Sequence, residues 1–336
     1  MRLIAAVIAL PVPLTGCALH LKSTADGHPT AAQQAEFWNE PTDLAQRDLL
    51  HGPGGIQDQP DPQDRYEFIS ADTSGASKGF DVRDSKGREW SAKLGVEAQS
   101  EIAASRIIWA AGFHQPSMYY LPGWTLVRDG VASTQPAARF RLKHHMKTAG
   151  TWAWSANPFV GTDEFGGLVV LMVIINNWDL KTSNNVLYDV QGGSGGAERW
   201  YVVKDLGAAF GRTGSTGTLF GRFRGSKNDV ADYEREPFIK SVHDDRVNVH
   251  FHGAAYVPVL PRTIRVSHVR WICERLNRLS DQQWHDAFRA AGYTDDVADR
   301  YVRRLKQKVA DGLKVSSMTS VSPAIVSPST GTLRSR

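Results

Sequence analysis

Three short segments hold polar residues whose types and order suit chemistry. The first is Trp90-Ser91-Ala92-Lys93, a strand ending in lysine, followed by a helix bearing Glu97 and Glu101. The second is Asn177-Trp178-Asp179-Leu180-Lys181-Thr182-Ser183-Asn184-Asn185, directly after an apolar run. The third is Trp200-Tyr201-Val202-Val203-Lys204-Asp205-Leu206-Gly207, a short buried strand closed by Asp-Leu-Gly. Carboxylate and amide oxygens are hard ligands that suit a hard metal cation, and a placed carboxylate can take the proton of a hydroxyl. Each segment alone has an ordinary reading: a surface ion pair of little energetic weight, a polar loop capping helices, a turn ending a strand. Their joint order singles them out, because three independent coincidences would have to multiply.

In that order the segments resemble the protein-kinase-like superfamily, including the bacterial atypical kinases of the HipA and phosphoinositide-kinase-like kind. Asp179-Leu180-Lys181-x-x-Asn184 is similar to the kinase catalytic loop. Asp205-Leu206-Gly207 is similar to the Asp-Phe-Gly metal motif, and Lys93 with Glu101 to the strand-lysine and helix-glutamate pair. The interval from Asn184 to Asp205 leaves room for the hairpin that fold requires. The resemblance covers roughly residues 66–215.

The resemblance implies ATP and Mg²⁺ (or Mn²⁺) as cofactors and phosphoryl transfer to a hydroxyl acceptor that the sequence does not name. Such chemistry asks a protein chiefly for positioning and charge stabilisation. Lys93 would contact the α and β phosphates and Glu101 would hold it in place. Glu97, one helical turn earlier on the same face, is the rival partner. Asn184 and Asp205 would offer oxygens to the metal, Asp179 would orient or deprotonate the acceptor, and Lys181 would stabilise the transferring group. Gly75 and Gly79, a G-x-x-x-G in Ser74-Gly75-Ala76-Ser77-Lys78-Gly79-Phe80, would cover phosphates with backbone N–H groups; a plain hairpin turn is the equal alternative. The sequence departs from the family where Asn177-Trp178 replaces the usual His-Arg. The competing readings are a catalytically inactive pseudokinase that binds a partner or ligand, an AMP transferase on the same fold, and a structural envelope lipoprotein without a nucleotide site.

The elements that must position these residues read as an α+β, two-lobed, protein-kinase-like fold with a β-rich N-lobe and a mainly helical C-lobe. YEFIS, GFDVRD and REWSAKL are strand-like, with Asp84-Ser85-Lys86-Gly87 as a hairpin turn. Residues 97–111 have helical periodicity, with Gly112 as a C-cap. MYYLPGWTLV and AARFRLKH add strands. The apolar run 168–175 is helix or buried strand, which periodicity cannot decide. VRWICERLNRL, SDQQWHDAFRAAG and DDVADRYVRRLKQKVADGL are amphipathic helices, with Ser280 as an N-cap and Gly292 as a stop. Expected boundaries are 1–16 for a signal peptide, 17–62 for a tether or N-terminal extension with one short docked helix expected within Phe37–Leu50, 63–148 for the N-lobe, 149–314 for the C-lobe and 315–336 for a disordered tail. Trp152 and Trp154 fall where the lobes should join, and packing is favoured for them over lining a nucleotide pocket.

The chain has 336 residues, is 41% hydrophobic and 22% charged, and carries a net charge of +4. That composition excludes a collagen, a coiled-coil rod and a wholly disordered chain, and no basic stripe marks a nucleic-acid binder. Its opening run Leu3–Leu14 after Arg2 is shorter than the about 20 residues a spanning helix needs and reads as a signal peptide. Leu14-Thr15-Gly16-Cys17 resembles the bacterial lipobox, which implies a lipid anchor on Cys17; Ala18 after it favours an outer membrane. The expected location is therefore the bacterial cell envelope, on the periplasmic or surface side. With Cys17 acylated, Cys273 has no disulfide partner and reads as a buried, inert thiol. His250-Phe251-His252 puts two histidines on one strand face, but no third ligand is evident for a metal. His144-His145 reads as a solvated pair.

Overall fold

The computed structural model describes residues 21–72, 77–143, 146–190, 197–214, 224–253 and 259–315. The described chain opens with β1 (Lys22–Ser23) and α1 (Ala31–Ala35), then a series of short 3₁₀ turns up to Asp58. Next come β2 (Arg65–Asp72), β3 (Gly79–Arg83), β4 (Glu89–Leu94), α2 (Glu97–Ala110), β5 (Met118–Arg128) and β6 (Val131–Leu142). Five strands close into a small barrel in the order β2-β3-β4-β6-β5, with β2 and β5 sealing it in parallel.

Alternation along the strands decides which side chains reach the site. Trp90, Ala92 and Leu94 of β4, and Ala138, Phe140 and Leu142 of β6, fill the barrel with Tyr66, Phe80 and Trp124. The intervening residues must then point outward, since side chains alternate along a strand. In the β4–β6 ladder Lys93 stands opposite Arg139 and Ser91 opposite Arg141. The hairpin turn between β3 and β4 is built as the local residues demand. Gly87 takes φ +78° after Asp84, whose Oδ1 accepts from the Lys86 and Arg88 N–H groups. Helix α2 covers the barrel flank and is buried along almost its whole length; Gly112 follows it at φ +99°, the left-handed cap expected of glycine.

The second lobe begins with β7 (Met146–Gly150), β8 (Ala156–Asn157) and α3 (Asp163–Ile174). The undecided apolar run is therefore the core of α3. Thr162 caps it by accepting from the Phe165 N–H, Asp163 and Glu164 complement the dipole of its first turn, and the helix is apolar all round because it is buried all round. Gly166 and Gly167 are required by its neighbour: a Cβ there would lie 2.3 Å from His268 and 2.4 Å from Trp271. The lobe continues with β9 (Asn185–Val190), β10 (Arg199–Val203), α4 (Val230–Arg235), β11 (Ile239–His243), β12 (Arg246–Val249), α5 (Val266–Leu276), α6 (Asp281–Arg289) and α7 (Asp295–Leu313). Ser280 caps α6 through a capping box, and Gly292 follows at φ +72°. β7, β9 and β10 form a three-stranded sheet, and β11 with β12 a hairpin. The molecule is thus α+β and two-lobed, a β-rich lobe beside a mainly helical one.

Residues 21–62 differ from the tether expected over 17–62. The described part, 21–62, lies on the body. Phe37, Leu44 and Leu49 are buried in the same core as α2 and α3. The only α-helix there is α1, ending before Phe37. The fully buried Arg106 of α2 explains the docking. Its guanidinium donates to the carbonyls of Leu49 (3.1 Å), His51 (3.1 Å) and Met118 (2.6 Å). A few well-spaced apolar anchors inside a polar, Pro- and Gly-rich stretch give no periodic signal, so composition alone reads as a linker. At the other end Val315 is buried, while 316–336, the expected signal peptide 1–16 and Cys17 lie outside the described residues. Trp152 and Trp154 pack against Phe37 and Phe165 in the core. No described helix is long and apolar enough to cross a membrane.

Candidate active site

Between the lobes lies a cavity of about 500 Å³. The three polar segments reach it from different elements. Lys93 arrives on the outward face of β4, Glu97 and Glu101 on the first turns of α2. Lys93 Nζ lies 2.8 Å from Glu97 Oε2, 3.3 Å from Glu101 Oε2 and 3.2 Å from Asp205 Oδ1. The rival carboxylates expected for Lys93 therefore both engage it. Burial works against its charge, but Glu101, Asp205 and Glu97 together hold its pKa above the ordinary lysine value. Glu97 also pairs with Lys227, and these two lysines hold its carboxyl below the usual range despite burial. Glu101 also faces Arg139, Nε to Oε1 at 3.0 Å.

The catalytic-loop segment leaves α3 through Asn176, whose φ of +54° turns the chain sharply. Asparagine tolerates that left-handed region better than most residues. Its side chain is fixed on both sides: Nδ2 donates to Gly211 O at 2.7 Å, and Oδ1 accepts from Lys308 Nζ at 2.9 Å. Trp178, which stands where the family has arginine, is buried and donates from Nε1 to Ser226 O at 3.0 Å. Asp179 follows, its Oδ2 accepting from Lys181 Nζ at 2.8 Å. Its Oδ1 is buried without a hydrogen-bond partner among the described residues. Asn184 Nδ2 donates to Asp179 O at 2.6 Å, which locks the loop.

The interval between Asn184 and Asp205 is the antiparallel pair β9–β10, with Asn185 opposite Val203. This hairpin returns the chain to its start. Asn184 O accepts from the N–H groups of both Lys204 (2.9 Å) and Asp205 (3.1 Å). The two residues proposed for the metal thus come from opposite ends of one hairpin and stand side by side. Asp205 Oδ1 accepts from the Gly207 N–H at 3.1 Å. Burial raises the Asp205 pKa, but Lys93 and that N–H outweigh it and keep the carboxyl ionised below the usual range. Glycine at 207 is a steric requirement: a Cβ there would lie 2.7 Å from Glu97 Cβ. Ser100 Oγ of α2 donates to Gly207 O at 3.0 Å, fastening the Asp-Leu-Gly turn to the helix that carries Glu101.

Lys93, Glu101, Asp179, Lys181, Asn184, Asp205 and Gly79 all line the one cavity. Gly75 lies outside the described residues. The sequence reading passed over Arg139, Arg141, Lys204 and Lys227, which line it too. Alternation in Ala138-Arg139-Phe140-Arg141-Leu142 shows only that both arginines point out of the barrel; the β4–β6 register then sets them on the Lys93 side. His250, set aside as a metal ligand, lies 3.2 Å from Glu236 Oε2. No cluster of three or more His, Cys, Asp or Glu suited to a metal occurs among the described residues.

A β-rich lobe and a mainly helical lobe thus share this one cavity. No protein-family model and no curated protein matches the chain. Among solved structures it is similar to the Helicobacter pylori proinflammatory kinase CtkA, with a TM-score of 0.43 and 10% identity over 76% of this chain and 95% of that one.

Proposed function

We propose that the chain binds ATP with Mg²⁺ or Mn²⁺ in the interlobe cavity and transfers a phosphoryl group to a hydroxyl acceptor. The observation that carries this reading is the convergence of Lys93, Glu101, Asp179, Asn184 and Asp205, from separate elements, on one cavity. The donor set fits a hard cation: a carboxylate at Asp205, and an amide at Asn184 whose Nδ2 is engaged by Asp179 O, which leaves its Oδ1 for the metal. Mg²⁺ keeps several waters and needs only one or two protein carboxylates, so a cluster of three acidic or histidine ligands is not required. When bound, the cation would neutralise phosphate charge.

The chain's own residues do the rest. Lys93, held by Glu97 and Glu101, supplies a fixed cation to the donor phosphates. Asp179 orients the acceptor hydroxyl and takes its proton. Lys181, already beside Asp179, offsets charge that develops on the transferring group. A second reading has its own support: Lys93 is closed by three carboxylates and Asp179 is paired with Lys181, an internally satisfied arrangement that a pseudokinase would keep. AMP transfer is the third. We also place the protein on an envelope membrane through acylated Cys17, outside contact with nucleic acid. Incorporation of labelled fatty acid into the protein, lost in Cys17→Ser, is the expected result there.

The deciding experiment is a thermal-shift titration with Mg-ATP followed by label transfer. A ligand at 100 times its dissociation constant stabilises by about 2.7 kcal/mol. Transfer of γ-label supports phosphorylation, transfer of α-label supports AMP transfer, and binding without either supports the pseudokinase. No shift at millimolar nucleotide removes both transfer readings and leaves only a pseudokinase that binds a partner without nucleotide.

A further inference from the structure

The cavity has a chemical bias that the motif residues do not explain. Every described residue lining it is charged or polar except Gly79, whereas pockets for organic ligands are lined mainly by apolar and aromatic groups. The large apolar side chains nearby belong to the barrel interior or the main core, as Trp90, Phe140, Trp152 and Trp154 do. A flat base meets no apolar side chain among the described residues that line this cavity.

Cations take that place. Arg139 is already committed, donating from Nη1 to Ser91 O at 2.8 Å and lying beside Glu101. Arg141 reaches Glu101 only at 3.9 Å. Among the described residues, neither the Arg141 guanidinium nor the Lys204 ammonium donates a hydrogen bond to an acceptor. Glu101 is shared by Lys93, Arg139 and Arg141, so these donors have no carboxylate of their own. Half-buried donors without acceptors carry a desolvation cost with no return. Both side chains line the same cavity. An anion bound in the cavity would offer acceptors to both donors.

We infer that Arg141 and Lys204 form an anion subsite, so that the cavity recognises its donor by the polyphosphate chain and not by a base. Its ligand class is then inorganic tripolyphosphate together with nucleoside triphosphates of any base. This rests on the phosphoryl-transfer reading above and deepens it by naming the donor class.

Calorimetric titration of the full chain with Mg²⁺ and, separately, ATP, inorganic tripolyphosphate and adenosine tests it. ATP and tripolyphosphate should bind within about tenfold of each other, less than one strong charge-assisted contact to the base would add. Adenosine should give no heat. Arg141→Met and Lys204→Met should each weaken both anions by about tenfold or more. Arg141→Lys, which keeps the charge, should retain most of the affinity and guards against a folding defect. ATP binding a hundredfold tighter than tripolyphosphate, or adenosine binding by itself, overturns the inference and leaves phosphoryl transfer standing. Anion binding unchanged in both Met variants also overturns it. Failure of ATP and tripolyphosphate alike overturns both readings.

Discussion

Lys93 and Asp205 meet across the two lobes: the ammonium at the end of β4 lies 3.2 Å from the carboxylate just past β10. Glu97 and Glu101 complete its surroundings at 2.8 and 3.3 Å. Removing one partner of a buried ionic group leaves uncompensated charge and is strongly destabilising. Lys93→Met should therefore lower the melting temperature and reduce phosphoryl transfer by about a hundredfold or more. Asp205→Asn in the Lys93→Met background should recover part of that stability. Additive effects in this double-mutant cycle would show that the two side chains are not energetically coupled.

Lys204 gives the site a pH signature. Its pKa of about 8 lies below the ordinary lysine value of 10.5 because of Arg141, burial and Arg139. Below pH 8 the folded protein carries this extra cation and above it does not, so anion affinity should fall as pH rises from 7 to 9. Stability runs the other way. Between pH 8 and 10.5 the unfolded chain holds the proton that the folded chain has released, so this group's contribution to stability increases with pH across that window. Lys204→Met should flatten the binding profile and raise the melting temperature at pH 7 while weakening anion binding. A lower melting temperature at pH 7 would assign Lys204 a packing role instead.

The segment before the barrel should prove structural. Phe37 is fully buried and stacked on Phe159 at 4.4 Å, and truncating a buried phenylalanine costs about 3–5 kcal/mol. Chemical denaturation of Phe37→Ala should show a loss of that size. Likewise, a chain starting at residue 63 should expose the core around α2 and leave Arg106 without two of its carbonyl acceptors; its circular dichroism melt should lose cooperativity. A native-like melt for that truncation would return the segment to the status of a tether.

Cys273 should be chemically silent. It is fully buried, and burial pushes its thiol up to about 12. A thiol reagent at pH 8 should modify it only after unfolding, at the rate of denaturation; rapid labelling of the native protein would contradict the packing of α5 against α7.

Much of this organisation was legible because the informative patterns are short-range. The strand before Lys93, the helix of Glu97 and Glu101, the Ser280 cap and the hairpin between Asn184 and Asp205 all follow from local alternation, capping and spacing. What stayed hidden depends on contacts distant in sequence. The 168–175 run became helix through its Thr162 cap and all-round burial. The N-terminal segment docks through Arg106, more than fifty residues away from Leu49. Arg139 and Arg141 join the site only because register places β6 beside β4, a pairing that no single-segment pattern announces.

The central claim is metal-dependent phosphoryl transfer from this cavity. Its most direct measurement is transfer of γ-label from Mg-ATP to protein or added hydroxyl acceptors, made side by side with the Asp205→Ala and Asp179→Ala variants. Transfer by the natural chain, loss of metal-dependent binding in Asp205→Ala, and retained binding without transfer in Asp179→Ala are the predicted results. Transfer at the natural rate by Asp179→Ala would contradict it.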